Sequence, residues 1–300
     1  MKRLRVAIDQ MAPVLGDIDA NIKSHQDAVR WAKSKKAELL IFPELSLSGY
    51  HVRGMVPHVA LAAQGRHLKK LAESAGSLGV IAGFVEKSTD GQFYNSAAYI
   101  RDGHVQGVQR KLFLPNYGMF DEKRFFASGH RVSPFEMPWG RVGVLICFDA
   151  LHPAAAYLFE QAGARVLVTI SASPMRGIRS DGSMSAEESF RLAQRAHARL
   201  LGLVTILVNR VGTEEGLTFW GGSHVYDPFG DELLSMPTYE PQRAICDIDL
   251  ETVSRARTLF PHLKEGRPGF VLQEMWRLRM ESDGDVAQRP PNPIVAGGTD

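Results

Sequence analysis

The sequence is poor in cysteine, since its 300 residues include only Cys147 and Cys246. Two cysteines so far apart exclude a disulfide framework and indicate a reducing compartment. The chain also has no apolar run of about 20 residues, the length that a membrane-spanning helix needs. The apolar run within residues 1–10 is too short for a secretory signal. We therefore expect a soluble, cytoplasmic protein without a membrane partner.

An excess of charge of one sign is absent as well. The 35 Lys and Arg residues nearly balance the 33 Asp and Glu residues, and the formal net charge is only +2. Because the basic residues are spread along the chain, the sequence does not indicate a nucleic-acid-binding surface. The ten histidines show no HExxH or comparable ligand spacing, so we expect no metal site. A Walker-type or Ser-Gly-Gly phosphate loop is also missing, and we expect no cofactor.

Hydrophobic residues make up 44% of the chain, which is enough for a large core. Short apolar runs alternate with helical patterns, and Asp102-Gly103 is a strong hairpin signal. This order predicts an α/β protein with mixed sheets covered by helices. After about Phe270 the periodicity is lost, and the stretch that follows is rich in Pro and Gly. We therefore predict one domain over residues 1–270 and a C-terminal arm or tail over residues 271–300.

A buried strand is predicted over residues 141–146, and it runs directly into Cys147. The chain then turns through Phe148 and Asp149 towards Pro153 and an Ala-rich helix. A thiol at the mouth of a helix, near a cation, can be partly ionised and nucleophilic. A lone cysteine at the end of a strand is also commonly a buried structural thiol.

Two further stretches favour the nucleophile. Phe42-Pro43-Glu44-Leu45 follows an apolar strand pattern, and Arg110-Lys111-Leu112-Phe113-Leu114-Pro115 begins a loop that mixes charges with aromatics. Together with Ile146-Cys147-Phe148-Asp149, in this order, they resemble the nitrilase (carbon–nitrogen hydrolase) superfamily. The resemblance implies a four-layer α-β-β-α sandwich with mixed sheets. It also implies pairing into a homodimer or higher homo-oligomer, with the helices of residues 154–163 and 185–201 as candidate contacts.

The resemblance implies a catalytic role for each of these residues. Cys147 would attack the carbonyl carbon of an amide, and Glu44 would move the protons. Lys111 would stabilise the oxyanion together with the backbone N–H of Phe148.

A second glutamate often joins this set in the family, and Glu122 is the candidate here. It could equally be a loop carboxylate paired with Lys123 or Arg124. We expect Asp149 to brace the turn that follows the nucleophile rather than to take part in chemistry.

Two segments, residues 114–126 and 219–224, look most like the glutaminase domain of glutamine-dependent NAD synthetases. The chain ends without a synthetase domain, so we expect a free-standing enzyme. That subgroup usually has an acidic residue directly after the nucleophile, and an apolar ring at Phe148 leaves an α-ammonium poorly compensated. We therefore predict an amidase whose substrate is apolar or neutral near the cleaved bond. The sequence Cys-Phe-Asp, in place of the Cys-Trp-Glu of true nitrilases, favours amides over nitriles.

Six aromatic or hydroxyl residues in or near these motifs are candidates for binding the substrate. They are Tyr50, Tyr117, Phe148, Ser171, Ser173 and Trp220. The aromatic residues could equally be core or dimer contacts.

The predicted function is hydrolysis of a small amide through a cysteine thioester, which releases ammonia or an amine and a carboxylic acid. A glutaminase-like or N-carbamoyl amide hydrolase is an alternative. A catalytically silent binding protein on the same scaffold is a second alternative, since fold does not imply function. The presence of a carboxylate, an ammonium and a thiol in the family's order favours the enzyme.

Overall fold

The computed structural model describes residues 3–177, 185–263 and 265–283. These residues separate into two compact units, one ending at Leu263 and one following it. The strands of the first unit are β1 (Arg3–Gln10), β2 (Leu39–Ile41), β3 (Gly79–Lys87), β4 (Phe93–Arg101), β5 (His104–Arg110), β6 (Phe135–Met137), β7 (Gly140–Ile146), β8 (Ala164–Ser171), β9 (Val204–Asn209), β10 (Val211–Glu214), β11 (Leu217–Trp220), β12 (His224–Tyr226), β13 (Glu232–Ser235) and β14 (Gln242–Asp249). Its helices are α1 (Ile18–Ser34), α2 (Val56–Val59), α3 (Arg66–Ala75), α4 (Pro153–Gln161), α5 (Ser185–Leu201) and α6 (Glu251–Leu259).

Most of the strands form two six-stranded sheets. The first sheet has the order β14-β1-β2-β3-β4-β5, and the second has the order β13-β12-β9-β8-β7-β6. The central strands β1, β2 and β3 are parallel, as are β7, β8 and β9, whereas the outer strands pair antiparallel. Both sheets are therefore mixed, as the sequence predicted.

One apolar core contains alternate residues of both sheets, among them Val6 and Ile8 of β1 and Val142, Val144 and Ile146 of β7. The other face of the first sheet packs on α1 and α3, and that of the second sheet packs on α4 and α5. Because a strand's side chains alternate between its two faces, the central strands are apolar on both. The result is a four-layer α-β-β-α sandwich, which confirms the predicted fold class.

Local signals in the sequence mark the start of one helix and the turn of one hairpin. Helix α1 begins after Asp17, whose carboxylate accepts a 2.9 Å hydrogen bond from the N–H of Ala20. The turn between β4 and β5 has φ values of 51° at Asp102 and 76° at Gly103. Two successive positive φ angles are typical of the type I′ turn that the Asp-Gly pair predicts.

The second unit contains helix α7 (Pro268–Asp283). The sequence showed no periodicity after about Phe270, yet a regular helix continues there. Pro268 occupies the first helical position, where its missing N–H is not needed. The apolar residues of α7 are distributed around the helix rather than along one stripe, so the sequence carried no helical period. Residues 284–300 lie outside the described residues, and the predicted arm or tail stays a prediction there.

Helices α4 and α5 were predicted to contact a second copy of the chain. Leu158 of α4 and Leu192 and Leu200 of α5 are exposed large apolar side chains, and the pairing stays a prediction. Within the three described ranges, no helix has both the length and the apolar character needed to cross a membrane.

Candidate active site

Glu44, Lys111 and Cys147 each lie just beyond the end of a strand. Glu44 follows β2 and Lys111 follows β5 in the first sheet, whereas Cys147 follows β7 in the second. Glu44 also connects the two sheets, because its Oε2 accepts a 2.7 Å hydrogen bond from the N–H of Ala172, just after β8. The packing of the sheets against each other therefore gathers residues that are far apart in the sequence.

The turn that carries Glu44 lies directly against β3 at Gly83. A Cβ at this glycine would come within 2.3 Å of the backbone N of Leu45 and within 2.8 Å of the backbone C of Glu44. Only glycine leaves room for so close an approach. Sequence reasoning missed Gly83, although a glycine inside a strand pattern is a known signal of close backbone contact.

Lys111 is the centre of a buried charge network. Its Nζ donates hydrogen bonds of 2.7 Å to Oε1 of Glu44 and 2.8 Å to Oε1 of Glu122. All three side chains are buried. Burial lowers the pKa of Lys111, but the charges of Glu122 and Glu44 outweigh it and hold the pKa above its usual range. The residue is therefore an ammonium at neutral pH, which is the state that an oxyanion-stabilising group needs.

Glu122 contacts Lys111 rather than a cation of its own loop. The guanidinium of Arg124 lies near Asp121 instead, at 3.8 Å. The hydroxyl of Tyr50 donates a 2.7 Å hydrogen bond to Oε1 of Glu122. Burial raises the pKa of Glu122 and outweighs the lowering by Lys111. The sequence left open whether Glu122 pairs with Lys111 or with a cation of its own loop. In the structure it pairs with Lys111.

Cys147 begins a short 3₁₀ segment, Cys147–Leu151, with a φ of 48°. A left-handed backbone is uncommon for a residue other than glycine and is often retained at functional sites. Burial and then the charge of Glu44 raise the pKa of the thiol, and Lys111 and Ser171 offset this only in part. In the resting site the protonated thiol is therefore favoured, because the sulfur is buried beside a carboxylate. The thiol needs a base to react.

Asp149 connects the nucleophile turn to the loop of Lys111. Its Oδ1 accepts hydrogen bonds from the N–H of Leu112 at 3.1 Å and of Phe113 at 2.8 Å. Its Oδ2 accepts one from the N–H of Ile146 at 3.1 Å. Burial raises the pKa of Asp149 to about 7 in spite of these bonds. The bracing role expected for this residue is confirmed.

A cavity of about 200 Å³ opens at Cys147. Its described lining is mainly aromatic and aliphatic, with a few hydroxyl groups and the guanidinium of Arg176. Three of the six predicted substrate-binding residues are part of this lining: Tyr117, Phe148 and Ser173. Their contact with a substrate stays a prediction.

The other three predicted pocket residues are not part of this described lining. Ser171 is fully buried and lies next to Cys147. Tyr50 contacts Glu122 and lines a separate, smaller cavity of about 40 Å³. Trp220 is fully buried in the core between the second sheet and its helices. Its assignment to the substrate pocket is therefore corrected: its large ring fills the core beneath the site.

Sequence reasoning missed two polar residues that support the site. Asn95 of β4 donates a 2.7 Å hydrogen bond to Oε1 of Glu44, and a polar residue inside a buried strand was the available signal. Glu214 accepts a 2.9 Å hydrogen bond from the N–H of Tyr50 and pairs with Arg210 at 2.6 Å. This buried pair holds the loop from which Tyr50 reaches the active site.

The arrangement joins a carboxylate and an ammonium, hydrogen-bonded to each other, beside the thiol that lines the cavity. These are the groups that acyl transfer requires: a nucleophile, a proton carrier and a positive group for the oxyanion. No group of three or more His, Cys, Asp or Glu side chains in the described parts of the chain is placed to hold a metal ion.

Comparison with known proteins gives a consistent assignment. The sequence pattern of the carbon–nitrogen hydrolase family matches residues 5–258 of the chain. A glutamine-dependent NAD(+) synthetase of Thermotoga maritima is 34% identical over 266 residues, which are 87% of this chain and 45% of that protein. The chain thus spans about half the length of this relative. An (R)-stereoselective amidase of a Pseudomonas species is 30% identical over 269 residues, which are 88% of this chain and 92% of the amidase.

Solved structures show the same fold. The crystal structure of a carbon-nitrogen hydrolase from Helicobacter pylori G27 superimposes with a TM-score of 0.79 at 25% identity, and the match covers 91% of this chain and 99% of that one. The family match extends over both sheets and includes every motif on which the predicted resemblance rested. The chain therefore belongs to the carbon–nitrogen hydrolase family of the nitrilase superfamily.

Proposed function

We propose that this protein is a thiol-dependent amidase, which hydrolyses a small amide through a thioester on Cys147. The observation that carries the proposal is the buried ammonium of Lys111, hydrogen-bonded to both Glu44 and Glu122 beside the cysteine turn. Fixed charges in a site shielded from water act more strongly on developing charge than they do in solvent.

In the first half-reaction, Glu44 accepts the thiol proton as the sulfur attacks the carbonyl carbon. Nζ of Lys111 and the N–H of Phe148 stabilise the oxyanion that forms. Glu44 then gives its proton to the departing nitrogen, and the intermediate collapses to a thioester and free ammonia or amine. Hydrogen bonds of 2.7 Å from Ala172 and from Asn95 hold the carboxylate in place while the proton moves.

In the second half-reaction, Glu44 takes a proton from a water molecule that attacks the thioester. Lys111 again stabilises the oxyanion. Collapse of this intermediate returns the proton to the sulfur and releases a carboxylic acid. Glu122, which contacts both Lys111 and Tyr50, positions the ammonium and moves no proton in this scheme.

The lining of the cavity favours a substrate that is apolar near the cleaved bond. Phe148 directly follows the nucleophile, and Phe120, Leu151 and Phe190 also line the cavity. None of the described lining residues carries a carboxylate that could pair with an α-ammonium. For this reason we favour simple amides over glutamine, although a glutamine-dependent enzyme is among the relatives.

Ammonia release from a panel of butyramide, phenylacetamide and glutamine tests the proposal. We expect the purified protein to release ammonia from the first two faster than from glutamine, and Cys147→Ala to release none. Cys246→Ala is the matched control, because this second thiol is buried in β14 and belongs to the core between the sheets. Hydroxamate formation in the presence of hydroxylamine would report the acyl-enzyme directly.

Each alternative predicts a different outcome of the same panel. Faster turnover of glutamine than of both other amides would favour a glutaminase. No ammonia from any amide, with or without Cys147, would favour a binding protein on the same scaffold.

A further inference from the structure

We infer that Ser171 stabilises the Cys147 thiolate during the reaction, because its hydroxyl donates a hydrogen bond to the sulfur as negative charge develops there. The inference rests on the proposed amidase function and assigns one further residue to the nucleophilic step. In this role the serine contacts the nucleophile rather than the substrate.

The pairing of β7 with β8 brings Ser171 beside Cys147. The two strands are parallel and their register matches Ile146 with Ile170, so the next residues along the two strands are Cys147 and Ser171. Ile146 and Ile170 both face the core between the sheets. Since side chains alternate along a strand, Ser171 faces the helix side of the sheet, where Cys147 also packs.

The hydroxyl of Ser171 is a buried donor without a resting partner. The residue is fully buried, and its Oγ makes no hydrogen bond with any described part of the chain. Such groups are rare in protein interiors, because burying a hydroxyl without a hydrogen bond costs free energy. A thiol sulfur is only a weak acceptor, whereas a hydrogen bond to an ionised group is about twice as strong as a neutral one. Ser171 accordingly lowers the pKa of the Cys147 thiol, which favours the thiolate.

A donor that gains its partner only when charge appears accelerates the chemical step rather than improving substrate binding. In the first half-reaction, the thiol proton moves to Glu44 and the sulfur is negative until the carbon–sulfur bond has formed. In the second half-reaction, the electron pair returns to the sulfur as that bond breaks and the acid is released. Ser171 would stabilise the sulfur at both points.

The backbone of Ser171 is held on both sides. Strand β8 lies between β7 and β9, and the carbonyl of Ser171 accepts a 3.0 Å hydrogen bond from the N–H of Arg210. The N–H of the next residue, Ala172, donates the 2.7 Å hydrogen bond to Oε2 of Glu44. The end of β8 therefore positions both the donor at the sulfur and the base that takes the thiol proton, before any charge has moved.

The test measures the reactivity of the thiol towards methyl methanethiosulfonate, a small neutral reagent without an amide. The thiolate attacks the sulfenyl sulfur of the reagent, forms a mixed disulfide and releases methanesulfinate. The background is Cys246→Ala, in which Cys147 is the one thiol of the chain. In this background Ser171→Ala should lower the second-order rate constant at pH 7 by about 10- to 100-fold, the range expected for a hydrogen bond to a charged group.

Thr169→Val is the matched control, because Thr169 lies two residues earlier on the same face of β8 and is also fully buried. Its hydroxyl accepts a 2.6 Å hydrogen bond from Nε2 of Gln194, so it has the partner that the hydroxyl of Ser171 lacks. We expect Thr169→Val to unfold at a lower urea concentration and to keep the wild-type reactivity of Cys147. Ser171→Ala should show the opposite pattern, with lower reactivity and an equal or higher urea midpoint. A serine with only a structural role would not produce this pattern.

Amide turnover gives a second measurement. In Ser171→Ala, kcat for butyramide should fall by about the same factor as the reagent rate, and KM should stay near the wild-type value. A wild-type reagent rate, an unchanged kcat or a lower urea midpoint in Ser171→Ala would overturn this inference and leave the amidase function intact. A slower reaction with the reagent, but no ammonia from any amide even in the wild-type protein, would instead refute the amidase function alone.

Discussion

Replacing Lys111 with methionine tests the charge network most directly, because methionine keeps an unbranched chain and removes the ammonium. Nζ lies 2.7 Å from Glu44 and 2.8 Å from Glu122, so the variant leaves two carboxylates buried without the cation between them. Removing one partner of a buried ion pair typically costs about 3–5 kcal/mol of stability. We expect a loss of this size in the free energy of unfolding at pH 7. The loss of one oxyanion donor should also lower kcat by about 10²–10³-fold.

The dependence of the stability loss on pH and on Glu122 distinguishes the removal of the ammonium from a packing defect. Burial already raises the pKa of Glu122, and removal of Lys111 takes away the charge that lowers it. A carboxyl whose pKa is higher in the folded than in the unfolded protein favours the fold at low pH, and this contribution is lost as the pH rises through the folded pKa. The stability deficit of Lys111→Met should therefore shrink between pH 7 and pH 5. Adding Glu122→Gln should recover about 1–3 kcal/mol at pH 7 but no activity.

Urea unfolding followed by tryptophan fluorescence measures these stabilities, and ammonia release measures the activity. Lys23→Met is the control, because this lysine is exposed on α1 and its replacement should change stability by less than about 0.5 kcal/mol. The reasoning is refuted if Lys111→Met unfolds at the wild-type urea concentration at pH 7. It is also refuted if the deficit is the same at pH 5 and in the double variant.

Two further predictions concern residues that support the site. Gly83→Ala should displace the Glu44 turn, because the new methyl group would lie 2.3 Å from the backbone N of Leu45, and we expect kcat to fall by about 10²-fold. Gly54→Ala, whose methyl group would meet nothing within 4 Å, should keep wild-type ammonia release, and equal activity of the two variants would contradict the steric argument. Asp149→Asn turns one acceptor of buried N–H groups into a donor and should cost about 1–3 kcal/mol. Since burial raises the pKa of Asp149 to about 7, the wild-type advantage should be largest near pH 4 and decline as the pH rises through 7. Urea unfolding at pH 5 and pH 8 checks this sign, and a gap that widens with pH would show that the pKa is not raised.

Much of the fold was predictable because the signals are local. The apolar runs at Leu39–Ile41 and Val204–Asn209 are strands, the helix capped by Asp17 is present, and the Asp-Gly turn joins two strands. Helix α7 was not predictable, because its apolar residues follow no helical stripe. Periodicity reports an element only when one of its faces is consistently apolar.

The active site also has features that the sequence predicted and features that it did not. The sequence alone determined which chemical groups are present, since the motifs around Glu44, Lys111 and Cys147 and their order identify the family. It could not decide whether Glu122 contacts Lys111, because that contact depends on how the loop after β5 folds back onto Lys111.

Only the tertiary structure decided the electrostatics and the shape of the pocket. The pKa of the Cys147 thiol is raised because burial and a carboxylate surround it, and these neighbours come from strands far apart in the sequence. For the same reason Trp220 lies in the core, whereas Arg176 lies in the cavity. Residue type determines which chemistry is available, but burial and distance between remote residues determine how it is used, and both arise only when the two sheets pack together.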